Sequence, residues 1–226
     1  GTDRPSVSVS VSTRNAVANL NVNQHLNQLT VNDTGTAVIT HSGGTNIVVT
    51  NGITTNGTGK LDIADNKVLV KGGTLGTWDP TANGGAGAYN GITGMIQTGR
   101  AGGAWNGPGI ITSETYAQSP NILTTVAVAS ADDLGRVGGT LLGESVESGD
   151  VLVMYTYAGD ANLDGRINGD DYFAIDSHVN VAGATGYENG DFNLDGRING
   201  DDYFLIDSNI NNQSLGVFAT SAGVGG

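Results

Sequence analysis

Residues 150–177 read DVLVMYTYAGDANLDGRINGDDYFAIDS, and two kinds of structure meet inside this one stretch. Residues 150–157, rich in Val, Leu, Met and Tyr, read as a β-strand. Within three residues the chain turns into a dense run of Asp, Asn and Gly. So short a junction leaves no room for a flexible linker. A β-rich part and an acidic part are therefore expected to pack directly against each other.

The acidic run occurs twice. Residues 160–177 (DANLDGRINGDDYFAIDS) and 191–208 (DFNLDGRINGDDYFLIDS) differ only at their second and fifteenth positions, at a spacing of 31. An internal duplication this close is a specific signal. Each copy fits a calcium loop, in which oxygen ligands fall at positions 1, 3, 5, 7, 9 and 12 and glycine at position 6 makes the sharp turn. The first copy offers Asp160, Asn162, Asp164, the carbonyl of Arg166, Asn168 (through water) and Asp171, around Gly165. The second offers Asp191, Asn193, Asp195, the carbonyl of Arg197, Asn199 and Asp202, around Gly196. Hard oxygen donors without His or Cys suit Ca²⁺ over zinc or copper. The competing reading is a pair of metal-free Asx turns, but two near-identical copies with every ligand position filled favour two Ca²⁺ ions. Ile167 and Ile198, at position 8, are where paired loops form a small β-bridge. Tyr172, Phe173 and Ile175, with Tyr203, Phe204 and Ile206, are expected to form apolar helix faces that bury their aromatics together.

Composition agrees with a cation. Of 22 acidic residues, eleven lie between Asp160 and Asp207, a crowding that is unfavourable unless positive charge sits among them. The net charge of −13 disfavours nucleic acid and anionic membranes as partners. Cysteine is absent, so neither disulfides nor thiolate metal sites are available. A secreted chain without disulfides needs another staple, and calcium commonly serves outside the cell, where modules bind it at about 10⁻⁴–10⁻³ M and stay saturated. No apolar run is long enough for a membrane span, and no signal peptide is visible. The repeats favour a processed, secreted or cell-surface chain.

Before the acidic region the chain reads as mainly β. Candidate strands are Ser6–Thr13, Leu20–Asn23, Leu29–Asn32, Ala37–Thr40, Ile47–Thr50, Leu61–Ala64 and Val68–Val70, separated by Asn, Gly and Thr turns. Their spacing suits a β-sandwich, barrel or solenoid. Ser6–Thr13 alternates Val with small hydroxyls, as an edge strand of its own sheet or an arm added to a neighbour's would. Tyr89–Arg100 and Ile110–Gln118 could be short helices. Between them a glycine-dense loop carries Trp105, either a plug in the core or a sugar-stacking platform. Residues 122–129 and 150–157 return to the sheet, and Ser214–Thr220 could add a last strand.

The paired loops resemble the dockerin type I family, whose pattern D-x-N-x-D-G-x-[IV]-N-x-x-D both copies match. The resemblance implies two Ca²⁺ sites, loop-plus-one-helix units and an extracellular location. Dockerins of cellulolytic complexes bind cohesins, often through Ser-Thr pairs at loop positions 10 and 11. Here those positions are Gly169-Asp170 and Gly200-Asp201, and Val179–Asn189 lengthens the interval between loops. The wider stretch over residues 60–208 also resembles the C-terminal region of large secreted bacterial surface proteins.

The expected organisation is a β-rich sandwich or solenoid-like domain over residues 1–158, a dockerin-like pair of calcium loops with helices over 159–210, and a strand or tail over 211–226. The expected function is a calcium-binding structural or assembly protein of a bacterial cell surface, matrix or filament that associates with copies of itself by strand addition. The alternative is a binding module for a cohesin-like protein or a polysaccharide. Asn32, Asn56 and Asn212 begin N-x-[ST] triplets that would suit a glycosylated surface. No enzyme is expected: His25, His41 and His178 stand apart in sequence, no hydrolase motif is present, and Asp62/Asp65 and Asp132/Asp133 read as turn or cap residues.

Overall fold

The computed structural model describes residues 7–12 and 14–213. Its first nine strands are β1 (Ser8–Val11), β2 (Val17–Leu20), β3 (Gln24–Leu26), β4 (Gln28–Val31), β5 (Thr36–Ile39), β6 (Ile47–Thr50), β7 (Ile53–Thr55), β8 (Lys60–Asp62) and β9 (Lys67–Val70). Every third strand pairs in parallel: β1 with β4 and β4 with β7, β2 with β5 and β5 with β8, β3 with β6 and β6 with β9. The chain therefore winds as three stacked coils with three faces. The sandwich alternative does not describe this pairing.

Strands of three or four residues cannot bury a face alone, so each coil depends on its neighbours. Leu29, Val31, Ala37, Ile39, Ile47, Leu61, Ile63 and Leu69 are fully buried along the stack. The corners carry the other half of the code. Asn51 Nδ2 donates to Asn27 Oδ1 at 3.2 Å and Asn56 Nδ2 donates to Asn32 Oδ1 at 2.8 Å, so asparagines stack at equivalent turns. Asp33 and Gly57 occupy one stacked corner with φ of 54° and 64°, a conformation Asp, Asn and Gly tolerate best.

The third coil is closed on two faces. The hairpin of β10 (Trp78–Asp79) and β11 (Ala88–Tyr89), with the single turn α1 (Ala82–Gly85) between, leads into helix α2 (Gly91–Arg100). Then β12 (Gly109–Ile111) pairs in parallel with β8. Two long strands, β13 (Thr124–Ser130) and β16 (Val151–Tyr157), extend the β9 face antiparallel, and the small hairpin of β14 (Thr140–Leu141) and β15 (Glu144–Ser145) joins them. All seven residues of β16 are buried. Helices α3 (Gly169–His178) and α4 (Gly200–Asn209) follow, one after each acidic loop.

Several expectations change. Ile110–Gln118 is not a helix, because Gly109–Ile111 is drawn into the sheet beside β8. The strand expected at Leu20–Asn23 ends at Leu20, and β3 and β7, too short and polar to stand out, were not anticipated. Ser8–Val11 pairs with β4 of its own chain, as an ordinary edge strand, and so is not a free arm. Trp105 is 3% exposed and its Nε1 donates to the Ala117 carbonyl at 3.0 Å, which makes it a core plug and removes the stacking platform. The strand expected at Ser214–Thr220 lies outside the described residues.

Candidate metal centre

Each acidic loop is wound around its first and twelfth residues. Asp160 takes the Asp164 N–H on Oδ1 at 3.0 Å and the Gly165 N–H on Oδ2 at 2.9 Å, and the Thr156 hydroxyl also donates to it. Asp171 takes the Ala161 and Asn162 N–H groups on Oδ1 and the Asn168 N–H on Oδ2, at 2.8, 3.2 and 2.8 Å. The second loop repeats the pattern. Asp191 takes the Asp195 and Gly196 N–H groups at 3.0 and 2.9 Å, and Asp202 takes those of Asn193 and Asn199 at 3.1 and 3.0 Å. Asn168 and Asn199 cap their helices, each accepting from the N–H two residues on at 2.8 Å, and Asp171 and Asp202 complete a capping box.

Burial separates the ligand candidates into two groups. Asp160, Asp171, Asp191 and Asp202 are wholly buried, while Asp164 and Asp195 are exposed. Asn162 and Asn193 are half-buried, and Arg166 and Arg197 point their side chains to solvent, which leaves their carbonyls as the only candidate donors. Loss of hydration pushes the Asp160 carboxyl up to about 8, with Asp171 and Asp164 adding like charge. Burial likewise raises Asp202 to about 7 and Asp191 to about 6, and it raises Asp171. Two cations of the chain stand near. Arg136 donates from Nη2 to the Asn162 carbonyl at 2.8 Å, close to Asp160 and Asp164. Arg100, largely buried, faces Asp191, Asp202 and Asp195.

The two repeats grip each other symmetrically. The glycine before each loop meets the isoleucine of the other repeat's helix: a Cβ on Gly159 would lie 2.9 Å from Ile206, and one on Gly190 would lie 2.8 Å from Ile175. Tyr172 donates to Asp207 at 2.6 Å and Tyr203 to Asp176 at 2.5 Å, an exchange of equivalent bonds across the pair. The long interval between the loops is used. It delivers Tyr187, fully buried, whose hydroxyl accepts the Gly159 N–H at 3.2 Å and whose ring lies edge-on to Phe192 at 5.2 Å.

Two details depart from the sequence reading. The Ile167 backbone is bonded by the Gln213 side-chain amide, at 2.6 Å through N–H and 2.7 Å through C=O, where a β-bridge to Ile198 was expected. Of the expected apolar helix faces only Ile175 and Ile206 are buried, whereas Phe173 is 73% and Phe204 61% exposed.

The β part holds each loop by residues that the motif alone did not disclose. Tyr89 donates to Asp191 at 2.5 Å and Gln97 to the Leu194 carbonyl at 2.8 Å. Trp78 lies so close over Gly196 that a Cβ there would fall 2.2 Å from its ring. Asn209, buried in α4, donates to the Ile122 and Ala158 carbonyls, both at 3.0 Å. The signal for these contacts was faint: an aromatic pair and one arginine in a glycine-rich stretch with few charges.

Outside the loops, the acidic pairs are held mostly by bonds to other segments. Asp62 accepts from the Ala64 and Ser113 N–H groups, and Asp132 from Ser148 and Gly149. His25 meets Glu144 at 2.9 Å, and His178 bonds the Ala174 carbonyl. His41 is not isolated. With Asp65 and Glu114 it forms the only trio of His or acidic side chains among the described residues whose ligand atoms all lie within 4.8 Å of one another. No helix among the described residues is long and apolar enough to cross a membrane. No family model, no curated protein and no solved structure matches this chain.

Proposed function

We propose that this chain is a calcium-binding structural and assembly protein of a bacterial cell surface, matrix or filament. Two Ca²⁺ ions would staple a dockerin-like pair of loops and helices onto a coiled β-domain. The observation that carries this reading is the set of four wholly buried aspartates, two per loop, in matched positions of a near-identical repeat. Burying a carboxylate without full compensation costs several kcal/mol, on the order of the stability of a whole domain when summed over four. One guanidinium near each loop offsets part of that charge, and a divalent cation would offset the rest. Asp160, Asn162, Asp164, Asp171 and the Arg166 carbonyl would hold the first ion, with Asn168 reaching it through water. Asp191, Asn193, Asp195, Asp202 and the Arg197 carbonyl, with Asn199, would hold the second. The ion's contribution is charge and geometry. It carries no reaction.

Self-association by strand addition is supported at the other end of the β-domain. Among the described residues, β1, β2 and β3 each end their sheets. β1 contains no charge and no proline, the usual devices that blunt an edge. Residues 1–59 hold two acidic and two basic residues, whereas residues 60–226 hold 20 acidic against seven basic. A second copy would therefore meet this end without like-charge repulsion. The test is sedimentation of the native protein with and without chelator, paired with electron micrographs. Large assemblies that disperse in EDTA support the proposal; a monomer at every calcium level contradicts it.

A second reading, a module that docks a cohesin-like protein or a polysaccharide, is favoured by one observation. Phe173 and Phe204 stand exposed at equivalent positions of α3 and α4. A calcium-loaded monomer that retains such a partner, and loses it in Phe173→Ser, would support this reading.

A further inference from the structure

Three segments far apart in sequence converge at one corner of the β-domain, where the faces of β8 and β9 meet. His41 follows β5, Asp65 lies in the turn between β8 and β9, and Glu114 follows β12. His41 Nδ1 stands 2.8 Å from Glu114 Oε1 and 3.2 Å from Asp65 Oδ2. We propose that this trio is a third metal site, built for a divalent first-row ion of the zinc class and chemically distinct from the oxygen-only loops.

The donor set is the first argument. One imidazole nitrogen with two carboxylates suits zinc and its neighbours, whereas calcium prefers a cage of oxygens. His41 Nδ1 lies 3.2 Å or less from an oxygen of each carboxylate and all three ligand atoms lie within 4.8 Å of one another, a spread that one small ion can bridge.

The second argument is that hydrogen bonds between the three segments hold each ligand in place. Asp65 is 1% exposed and fixed by the N–H groups of Ser42, Gly43 and Gly44, at 3.0 Å on Oδ1 and 2.6 and 3.1 Å on Oδ2. The turn carrying His41 is tied down by Asn66, whose Nδ2 donates to the Thr40 carbonyl at 2.9 Å and whose Oδ1 takes the Ser42 hydroxyl at 2.5 Å. Glu114 is set by its N–H donating to Thr112 Oγ1 at 3.1 Å, and Thr112 in turn donates to the Ala64 carbonyl at 2.8 Å. Such support from surrounding bonds is what a preorganised site requires.

The third argument is charge and access. Asp65 and Glu114 bring two negative charges, and Lys67, bonded to the Gly44 carbonyl at 2.8 Å, offsets part of that of Asp65 from the inner side. A divalent ion meets the remainder on the outer side. There the His41 side chain is 67% exposed, so water can complete the coordination sphere. Bound there, the ion would tie the second coil to the third and to the strand that closes it.

The test is a calorimetric titration of ZnCl₂ into the full chain held in excess calcium, so that the acidic loops are saturated. Cobalt(II) is run alongside, because its visible spectrum reports nitrogen ligation. The expected result is one zinc equivalent that calcium does not displace, weakened at least tenfold in His41→Ala and in Glu114→Gln, with calcium uptake unchanged in both. His41 is exposed, so the variant is expected to fold, and an unaltered melt in zinc-free buffer checks this. Zinc uptake that persists in His41→Ala overturns the proposal by moving the ion to another histidine. No zinc uptake by the parent chain also overturns it and leaves the trio an imidazolium shared between two carboxylates. Neither result depends on whether the loops bind calcium.

Discussion

At the scale of single residues, the account rests on side chains whose cost changes sign with the ion. Asp202 is buried and takes two backbone N–H groups, so Asp202→Asn neutralises a proposed ligand while filling the same space. In calcium this variant is expected to bind one ion where the parent binds two, and to melt lower. In chelator the difference from the parent is expected to shrink, because a buried charge has been removed along with the ligand. Parallel calorimetry and melting curves check both halves. Glycine offers a second contrast. Gly190 has φ of 110° and sits against Ile175, so Gly190→Ala combines strain with a clash and is expected to cost on the order of 1–3 kcal/mol. Gly200 opens α4 with nothing within 4 Å of a built Cβ, so Gly200→Ala is expected to be neutral or stabilising by up to about 1 kcal/mol. Denaturant melts of the pair separate packing from general intolerance.

Among elements, legibility followed the strength of the local signal. The long buried strands β13 and β16 and helix α2 were visible because their patterns run over seven or more residues. The two acidic loops and the helix after each were legible as elements, because the duplication repeated the same residues. The coils were legible as strands without their pairing: Leu29 faces Ile53 and Ala37 faces Leu61, both 24 apart, yet the first coil is displaced by 20 and 19 residues. No constant period existed to be found. Helix α3 misled in another way. Its aromatics suggested a buried face, but Ile175 and Ile206 are buried where the repeats meet while Phe173 and Phe204 are left outside. Strand β1 carries the prediction at this scale. Val9 is only partly buried on the edge strand, so Val9→Lys is expected to leave the monomer's melting temperature within a few degrees while abolishing large assemblies. Assemblies of unchanged size in the sedimentation profile would remove β1 as the joining edge.

For the whole molecule, the helical pair and the β-domain are one body, joined by Tyr89, Gln97, Asn209 and Tyr187 as well as by the chain itself. Removal of the proposed ions is therefore expected to weaken more than the loops. The pH dependence follows from the buried carboxylates. Their values rise to about 6, 7 and 8 at Asp191, Asp202 and Asp160, against 3.8 for an unstructured aspartate. Without calcium, the folded chain then holds more protons than the unfolded chain from about pH 4 to about pH 8. Its stability is expected to fall as pH rises through that window, and saturating calcium is expected to abolish the fall. Melting at stepped pH with and without EDTA checks the sign.

The most direct test of the central claim is a calorimetric titration of calcium into the chelator-stripped full chain, followed by melting of the same sample. The account predicts uptake of two ions per chain and a melting temperature that rises on loading and drops again with EDTA. No calcium uptake, or a melt indifferent to EDTA, would contradict it.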